Sequence, residues 1–284
     1  MKKSSCELLL LYYLKSSNDE DLHSTFIANC VINSFLSLTA IMLNIVTIHA
    51  IRKASSLPKT LRTLLLSLAV SDLGVGIFVQ PFYTSLLVKW LKQNTPHCIS
   101  FKVFLFICIL FTGASFFGVV AVSVDRFLAI HLHLRYQELV THKRVLAVTI
   151  STWVLSAVTC LTLLWVSLAT RALILSFIII VGLLLTAVVY VRIYFAVRRH
   201  KSQMQAHHVR RITHTDEMAN IADIVKTAVG VFYIYLVFLF CYLPYFVSLA
   251  ALKIVGLSDA LNKLYIFSFT LMFLNSSLNP VIYC

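Results

Sequence analysis

Long apolar runs alternate with short polar stretches over most of this chain. Each run exceeds the roughly 18–20 apolar residues that a helix needs to cross the hydrocarbon core of a membrane. The runs are too long and too uniformly apolar for the strands of a membrane barrel. The pattern therefore predicts an all-α membrane protein, a bundle of seven transmembrane helices. The seven predicted spans are 24–51, 61–88, 101–126, 145–166, 171–197, 225–252 and 260–283.

Composition supports a membrane protein and argues against several other classes. Of the 284 residues, 60% are hydrophobic and 12% are charged, whereas soluble domains have about 45–50% apolar and about 25% charged residues. The net charge of +13 does not indicate nucleic-acid binding, because the basic residues are dispersed between the spans. The motifs of phosphate-binding loops, serine hydrolases and zinc proteases do not occur in the chain, so we do not expect an enzyme.

The distribution of Lys and Arg predicts the orientation of the helices. If the N-terminus is outside, most of the 24 basic residues flank the cytoplasmic ends of the spans, which is the usual bias. This orientation places the C-terminus inside. It makes residues 1–23 an extracellular tail and residues 24–284 the seven-helix domain. The longest polar connection, about 198–224, then lies in the cytoplasm, with helical extensions of the fifth and sixth spans on either side.

An acid and a base stand side by side at the end of the third span, as Asp125 and Arg126. Unpaired charges are costly inside hydrocarbon, so this pair is expected at the membrane–water boundary, where a functional role is the default hypothesis. The alternative is a pair of flanking charges that extend toward the water.

Asp72 lies deep in the second span, and no Lys or Arg lies at a comparable depth. An ionised carboxylate in that position needs a partner. A hard cation such as sodium, held by hydroxyl and amide oxygens, is one solution. A protonated carboxylic acid in a hydrogen-bond network is the other, and the residues alone leave both open.

Three prolines lie inside predicted spans, at Pro81, Pro244 and Pro280. Each one removes a backbone hydrogen bond and tends to kink its helix. A kink can be a static bend or a hinge. The aromatic residues around Pro244 favour a hinge there.

Taken in order, these residues resemble the motifs of rhodopsin-like G-protein-coupled receptors. The resemblance covers about 24–284, and its specificity comes from the combination of motifs, each on its proper span. It implies a plasma-membrane receptor that passes the signal of a small extracellular ligand to a heterotrimeric G protein. The residues that carry it are Asn44, Leu68-Ala-Val-Ser-Asp72, Asp125-Arg-Phe127 with Ile130 and Tyr136, Trp153, Tyr190, Phe238 with Cys241-Tyr-Leu-Pro244, and Asn275-Ser-Ser-Leu-Asn279-Pro280-Val-Ile-Tyr283.

The resemblance implies roles for individual residues. Arg126 would couple to the G protein and would be restrained by Asp125 at rest, whereas Tyr190 and Tyr283 would support it in the active state. The implied coupling and switch residues are Asp125, Arg126, Phe127, Tyr190, Phe238, Tyr242, Pro244, Asn279, Pro280 and Tyr283. An allosteric sodium ion would be held by Asp72, Ser115, Asn275 and Asn279.

Several positions depart from the pattern of these receptors. Tyr242 stands where a Trp is usual, and Gly182 where a Pro is common. Ile224 stands where the acid of a cytoplasmic latch is usual, although Asp223 is its neighbour. We therefore expect raised basal signalling, because Asp125 is left as the main restraint on Arg126.

The outer loops also depart from the usual pattern. Cys98 precedes the usual cysteine position, here Phe101, by three residues, and the loop near 167–171 is short and has no Cys. The usual disulfide to that loop therefore cannot form, and a bridge from Cys98 to Cys6 remains open. These features resemble the group of melanocortin, cannabinoid, lysophospholipid and adenosine receptors, with the melanocortin type nearest in loop architecture. Receptors of this kind continue into an eighth helix, so an end at Cys284 suggests a fragment.

By resemblance, the ligand pocket would be apolar and aromatic. Cys108 stands where amine receptors have an Asp, and Phe273 where opsins have the retinal-linking Lys. The acidic cluster of melanocortin receptors is absent, with Phe82, Phe101 and Leu105 in its place, and Leu249 replaces an Asn of adenosine receptors. The implied pocket residues are Phe82, Tyr83, Cys108, Ile109, Thr112, Ile174, Ile178, Tyr245, Phe246, Leu249, Tyr265, Phe269 and Phe273.

Such a pocket favours a neutral lipid-like or other hydrophobic ligand. A peptide or nucleoside ligand is the alternative. So is an aromatic core that simply packs together, with a ligand at the outer loops. A receptor-like protein that no longer signals is a further alternative. A transporter or channel is disfavoured, because Asp72 is the single acid at mid-depth and the spans show no repeat.

Overall fold

The computed structural model of the chain describes most of the predicted bundle. The described residues are 20–54, 57–92, 97–132, 135–166, 168–207, 232–233, 235–248, 250–251, 254–255 and 258–283. Within them, all regular structure is helical. The predicted all-α class is therefore confirmed.

Within the described residues, seven helices correspond to the predicted spans, and six of them are long. A single-turn helix, Tyr136–Leu139, lies between the third and fourth. Where both ends are described, the helices enclose the predicted spans to within a residue, since the polar flanks continue the helix past the apolar stretch. The seven helices are α1 (Glu20–Lys53), α2 (Lys59–Leu91), α3 (Cys98–Leu132), α4 (His142–Trp165), α5 (Leu168–His207), α6 (described over Tyr235–Ser248) and α7 (Asp259–Tyr283).

The helices differ in how strongly they signal a membrane crossing. Among the described residues, the five helices α1 to α5 are long and apolar enough to cross a membrane, and α6 is apolar over a shorter described length. Helix α7 is less apolar because Asn275, Ser276, Ser277 and Asn279 lie on its buried side. The polar groups of α7 thus face the bundle.

The exposed and buried surfaces have the polarity of a membrane bundle. Phe35 on α1 is 66% exposed and Phe177 on α5 is 68% exposed, whereas Asn44 and Asp72 are 0% exposed. Large exposed apolar patches of this kind mark a surface that contacts something other than water. Here the acyl chains of a bilayer would cover them.

Helix α2 contains an irregular segment that positions several side chains discussed below. Residues Val75–Val79 form a π-helical turn, and the Gln80 N–H bonds to the Val75 carbonyl oxygen, five residues back. Pro81 follows and cannot donate a hydrogen bond. The Ser37 hydroxyl on α1 donates to the Gly76 carbonyl at 2.8 Å, as expected where a neighbouring helix satisfies a freed backbone group.

Candidate functional site

Asp125 and Arg126 form a buried ion pair at the end of α3. Their side chains are each 4% exposed. The Nε of Arg126 donates to Oδ2 of Asp125 at 3.0 Å, and its Nη2 donates to the same oxygen. The guanidinium is therefore folded back onto its own helix.

The second oxygen of Asp125 is held by the short helix after α3. The Tyr136 hydroxyl donates to Oδ1 of Asp125 at 2.7 Å, and it lies 3.2 Å from the Thr60 hydroxyl of α2. Burial raises the pKa of Tyr136 to about 12, so the hydroxyl remains a donor throughout the physiological pH range. Both carboxylate oxygens of Asp125 are thus engaged, and α2 is tied to the pair.

Tyr190 of α5 points toward α3 just before this pair. Its hydroxyl lies 3.1 Å from the Ser123 hydroxyl. Its ring stacks on Tyr235 of α6 with centroids 5.3 Å apart, and contacts Phe232 edge-on. Three helices therefore meet at Tyr190.

A chain of aromatic rings continues from this region toward the centre of the bundle. Phe238 and Tyr242 of α6 stack with centroids 3.9 Å apart, and Phe116 of α3 lies 5.3 Å from Phe238. Phe116 fits because the facing residue is Gly182. A Cβ built on Gly182 would lie 2.3 Å from Cζ of Phe116.

Asp72 is the centre of a buried polar network that joins α2, α3 and α7. The hydroxyls of Ser115 and Ser276 donate to its Oδ1 at 3.1 and 2.9 Å, and Nδ2 of Asn279 donates to its Oδ2 at 2.7 Å. Asn44 ties α1 to this network, since its Nδ2 donates to the Ser276 carbonyl at 2.8 Å.

The same network contains amide oxygens that accept no hydrogen bond from the described residues. These are Oδ1 of Asn44 and Asn279; Oδ1 of Asn275, the neighbour of Ser276 in the chain, is also unpaired but makes no hydrogen bond to the network. Carboxylate, hydroxyl and amide oxygens are the ligands that hard cations prefer, so this set suits a hard cation such as sodium. Among the described residues, no group of three or more His, Cys, Asp or Glu side chains could hold a metal ion.

A cavity of about 80 Å³ lies among α3 to α7. Its wall is mostly apolar and aromatic. The lining residues are Leu105, Cys108, Ile109, Thr112, Gly113, Phe116, Phe117, Ser156, Thr159, Leu175, Ile178, Ile179, Tyr242, Tyr245, Phe246, Phe269 and Met272.

Comparison with known families decides the class of the protein. Residues 43–283 match the family of 7 transmembrane receptors described as the rhodopsin family. The chain belongs to this family. The predicted seven-helix receptor class is therefore confirmed.

Curated relatives of the receptor include adenosine receptors. Adenosine receptor A2b of Gallus gallus is 33% identical over 132 residues, or 46% of this chain and 38% of that protein. Adenosine receptor A2b of Homo sapiens is 34% identical over 116 residues, or 40% and 33%. Adenosine receptor A2a of Canis lupus familiaris is 30% identical over 121 residues, or 43% and 28%.

The matched stretch spans about a third of the length of these relatives. Within the predicted group of four receptor types, the similarity is to the adenosine type. Loop architecture had instead favoured the melanocortin type. Short loops and missing cysteines say less about relationship than identity over more than 100 matched residues.

About half of the predicted pocket residues line the receptor's cavity. The seven that do are Cys108, Ile109, Thr112, Ile178, Tyr245, Phe246 and Phe269. Leu249 lies outside the described residues. Whether these side chains bind a ligand remains a prediction.

The predicted pocket residues on the α2 side of the receptor pack against one another instead. Tyr83 lies 5.6 Å from Phe104 and 5.5 Å from both Phe269 and Phe273, measured between ring centroids. Phe82 stacks on Phe104. Aromatic packing has thus closed this side of the predicted pocket.

Two further predicted pocket residues also lie away from the cavity. Tyr265 stacks on Tyr245 behind the lining. Ile174 is 38% exposed, because the cavity lies deeper along α5, at Leu175, Ile178 and Ile179. Ile174 is therefore not among the lining residues of this cavity, and its role in ligand binding stays a prediction.

The cavity also extends toward α4, which sequence reasoning missed. Gly113 and Ser156 face each other there, and a Cβ on Gly113 would lie 3.1 Å from the Ser156 hydroxyl oxygen. Small residues on facing spans are the signal that could have shown this close approach. The other lining residues outside the predicted pocket set are Leu105, Phe116, Phe117, Thr159, Leu175, Ile179, Tyr242 and Met272.

The structure adds one residue to the surroundings of Asp72, and sodium binding by the predicted set stays a prediction. Ser276 donates to the Asp72 carboxylate, whereas neither amide atom of Asn275 has a hydrogen-bond partner within the described part of the receptor. The reason is the rotation of α7, which turns Ser276 and Asn279, three residues apart, toward Asp72.

The remaining switch positions are only partly described. Phe127 stacks on His131 with centroids 5.4 Å apart, and Pro280 lies inside α7. Pro244 lies within α6, beside the Phe238–Tyr242 stack. The side chain of Tyr283 and the residues Asp223 and Ile224 lie outside the described part.

Cys98, at the start of α3, is disulfide-bonded. Its partner lies outside the described residues, so the bridge to Cys6 stays a prediction. Four described cysteines are free thiols, namely Cys30, Cys108, Cys160 and Cys241.

Proposed function

We propose that this protein is a plasma-membrane receptor that couples the binding of a small extracellular ligand to a heterotrimeric G protein. The observation that carries the proposal is the buried Asp125–Arg126 pair, capped by Tyr136. Breaking a buried pair is costly because it leaves an uncompensated charge. Arg126 therefore has a defined closed state, from which an activating ligand would release it toward the G protein.

The proposed orientation places this pair on the cytoplasmic side and the aromatic cavity in the outer half. Cavity and pair are connected through the stacked rings of Tyr242 and Phe238 on α6, since Tyr242 also lines the cavity. Helix α6 continues from there to Tyr235, which stacks on Tyr190. A ligand that displaces Tyr242 would thus act on the α3–α5–α6 contact next to Arg126.

The chemistry of the cavity wall supports a neutral, hydrophobic ligand. Its Thr112, Ser156 and Thr159 hydroxyls donate to carbonyls of their own helices at 2.6, 2.9 and 2.8 Å. These donors are therefore already used, and a ligand would meet mainly aromatic and aliphatic surface. Sites of this composition suit lipid-like molecules.

The small volume of the cavity sets a condition for ligand binding. At about 80 Å³, it is well below the roughly 300–1,000 Å³ of ordinary small-molecule sites. Ligand entry would therefore require the aromatic rings at its wall to separate. Tyr245 and Phe246 are candidates, because they line the cavity on α6.

A nucleoside is the second candidate ligand class, favoured by the similarity to adenosine receptors. A nucleoside needs several polar contacts, whereas the Thr112, Ser156 and Thr159 hydroxyls of the wall already donate to their own helices. A panel of neutral lipids, nucleosides and peptides, tested for nucleotide exchange on G protein in membranes, separates the classes. Responses to neutral lipids that are lost in Phe246→Ala support the proposal, and responses confined to nucleosides or peptides contradict the lipid-like ligand.

The signalling role itself is tested with Arg126→Ala. We expect this variant to lose the basal and ligand-stimulated nucleotide exchange of the wild type. Arg135→Ala is a matched control, because Arg135 is exposed near the same end of α3. If neither wild type nor variant raises exchange under any ligand or basally, the protein is receptor-like without signalling.

An allosteric sodium ion at Asp72 is also part of the proposal. Asp72, Ser115, Ser276, Asn275 and Asn279 would hold it, and the ion would supply the charge that balances the buried carboxylate. The two hydroxyls and one amide that surround the Asp72 carboxylate also carry oxygens of the kind that hard cations prefer. A protonated Asp72 in the same network is the alternative.

Sodium binding is tested by the thermal midpoint of the purified receptor in sodium chloride and in choline chloride at equal ionic strength. We expect a higher midpoint in sodium for the wild type and no difference for Asp72→Asn. Equal midpoints for the wild type in both salts would support the protonated carboxylic acid.

A further inference from the structure

Buried amide atoms without a hydrogen-bond partner lie on α1 and α2, apart from the Asp72 network. Gln80 is 0% exposed, and neither its Oε1 nor its Nε2 is hydrogen-bonded. Asn33 is also 0% exposed, and its Oδ1 accepts no hydrogen bond. Native structures rarely leave buried polar atoms unpaired, and ordered water is a common partner for such atoms.

The register of α1 against α2 places Gln80 opposite Asn33. Two contacts define that register, the Ser37 hydroxyl on the Gly76 carbonyl at 2.8 Å and the stacked rings of Phe26 and Trp90 at 5.9 Å. The helices are antiparallel, so one turn outward from the Ser37–Gly76 contact lie Asn33 on α1 and Gln80 on α2. Gly76 faces α1, and Gln80 shares that face.

The other polar atoms around Asn33 are already paired. Its Nδ2 donates to the Thr270 hydroxyl of α7 at 2.7 Å and to the Asn29 carbonyl at 2.8 Å. The Thr270 hydroxyl in turn donates to Oδ1 of Asn29. The missing partner must therefore donate to Oδ1 of Asn33, and must both donate to and accept from the Gln80 carboxamide.

We propose that a small cluster of ordered water binds between α1 and α2 and bridges Oδ1 of Asn33 to the Gln80 carboxamide. Water both donates and accepts, so it can satisfy both amides. A cation does not suit the site, because the Gln80 Nε2 is a donor. The site is independent of the proposed ligand and G protein.

The bound water would fix the irregular part of α2. Gln80 directly follows the π-helical turn Val75–Val79 and precedes Pro81. One turn further, the Tyr83 hydroxyl donates to the Ile266 carbonyl of α7 at 3.2 Å. The hydrated contact thus holds the segment that places Tyr83 in the aromatic cluster beside the cavity.

The change in thermal midpoint from wild type to Gln80→Met tests the proposal, because a dry and a hydrated amide predict changes of opposite sign. Methionine keeps the length of the side chain and removes the amide. A dry, unpaired amide would make Gln80→Met more stable than the wild type. A hydrated amide makes it less stable, and we expect a fall of roughly 2–4 °C. Thr84→Val is the matched control with little expected change, because its hydroxyl donates to a carbonyl of its own helix at 2.9 Å.

A double variant with Asn33→Leu and a high-resolution structure complete the test. If both amides share the water, the falls in thermal midpoint of the single variants Gln80→Met and Asn33→Leu are not additive. The midpoint of the double variant then falls by less than their sum. Density within hydrogen-bond distance of both amides in the wild type, absent in Gln80→Met, supports the proposal. A rise in midpoint for Gln80→Met, additive falls, or a direct Gln80–Asn33 hydrogen bond without water density would overturn it.

Discussion

The Tyr190 hydroxyl lies 3.1 Å from the Ser123 hydroxyl, one helical turn before Arg126. Tyr190 is the residue that the family resemblance assigns to Arg126 in the active state. In the structure Tyr190 instead contacts Ser123 and stacks on Tyr235. Release of Arg126 and release of Tyr190 are therefore separate events, and each can be perturbed alone.

We predict that Ser123→Ala raises basal nucleotide exchange. The variant removes the resting partner of Tyr190 and keeps its hydroxyl for Arg126. A hydrogen bond contributes about 0.5–1.5 kcal/mol net, so the active fraction should rise about 2- to 10-fold. Tyr190→Phe is the matched comparison, which loses both contacts and should stay at or below wild-type exchange. Unchanged exchange in Ser123→Ala, at equal surface expression, contradicts this role.

We predict that Asp125→Asn increases basal signalling above that of the wild type, which we also expect to be raised. The asparagine removes the charge that holds Arg126, and breaking a buried pair costs about 3–5 kcal/mol. Tyr136→Phe should have a smaller effect in the same direction, because it removes one hydrogen bond to Asp125. Nucleotide exchange without ligand is the measurement. Silent basal activity in both wild type and Asp125→Asn would count against the prediction.

We predict that Gly182→Ala destabilises the receptor by about 1–3 kcal/mol, as overpacking of a filled core does. The new Cβ would meet the Phe116 ring at 2.3 Å, and that ring cannot retreat because it packs on Phe117 and Phe238. The thermal midpoint measures the loss.

Two further variants serve as controls for the Gly182 prediction. Phe116→Leu should partly rescue Gly182→Ala, because it removes the clashing ring atoms. Gly118→Ala on α3 should be tolerated, since its Cβ would be at an ordinary 3.4 Å from Leu68. Equal loss in both alanine variants, or no rescue, would show that the Phe116 contact is not the cause.

We predict that the disulfide of Cys98 joins it to Cys6 in the N-terminal tail. Peptide mapping without reduction should recover the two cysteines in one linked peptide. Cys98→Ser should lower stability by about 2–5 kcal/mol, the usual cost of losing a native disulfide. Recovery of an alkylated, unlinked Cys98 from unreduced receptor would exclude the bridge.

Much of the fold could be predicted because the membrane imposes it on each span separately. A run of about 20 apolar residues must form a helix to satisfy its own backbone in hydrocarbon, so the helices that are described at both ends agree with the predicted spans. Asp72 needs partners because it is an acid inside an apolar span, which is also a local property of the sequence. Its hydrogen-bond partners Ser115 and Asn279 were among those predicted.

The contacts of the site could be predicted only in part, because they depend on how each helix is rotated and how closely it approaches its neighbours. A rotation of α7 places Ser276 rather than Asn275 on Asp72. Aromatic packing of Tyr83 and Phe273 closes one side of the predicted pocket, and the close approach of Gly113 to Ser156 draws the cavity toward α4.

The sequence by itself determined the seven helices, the buried Asp72, and the acid–base pair of Asp125 and Arg126. Each is a consequence of local polarity in an apolar solvent. The tertiary structure alone decided that Tyr190 lies on Ser123, that Phe116 fills the space beside Gly182 and that Ser37 bonds to the Gly76 carbonyl. These pairings come from residues far apart in the chain, and packing between helices selects them.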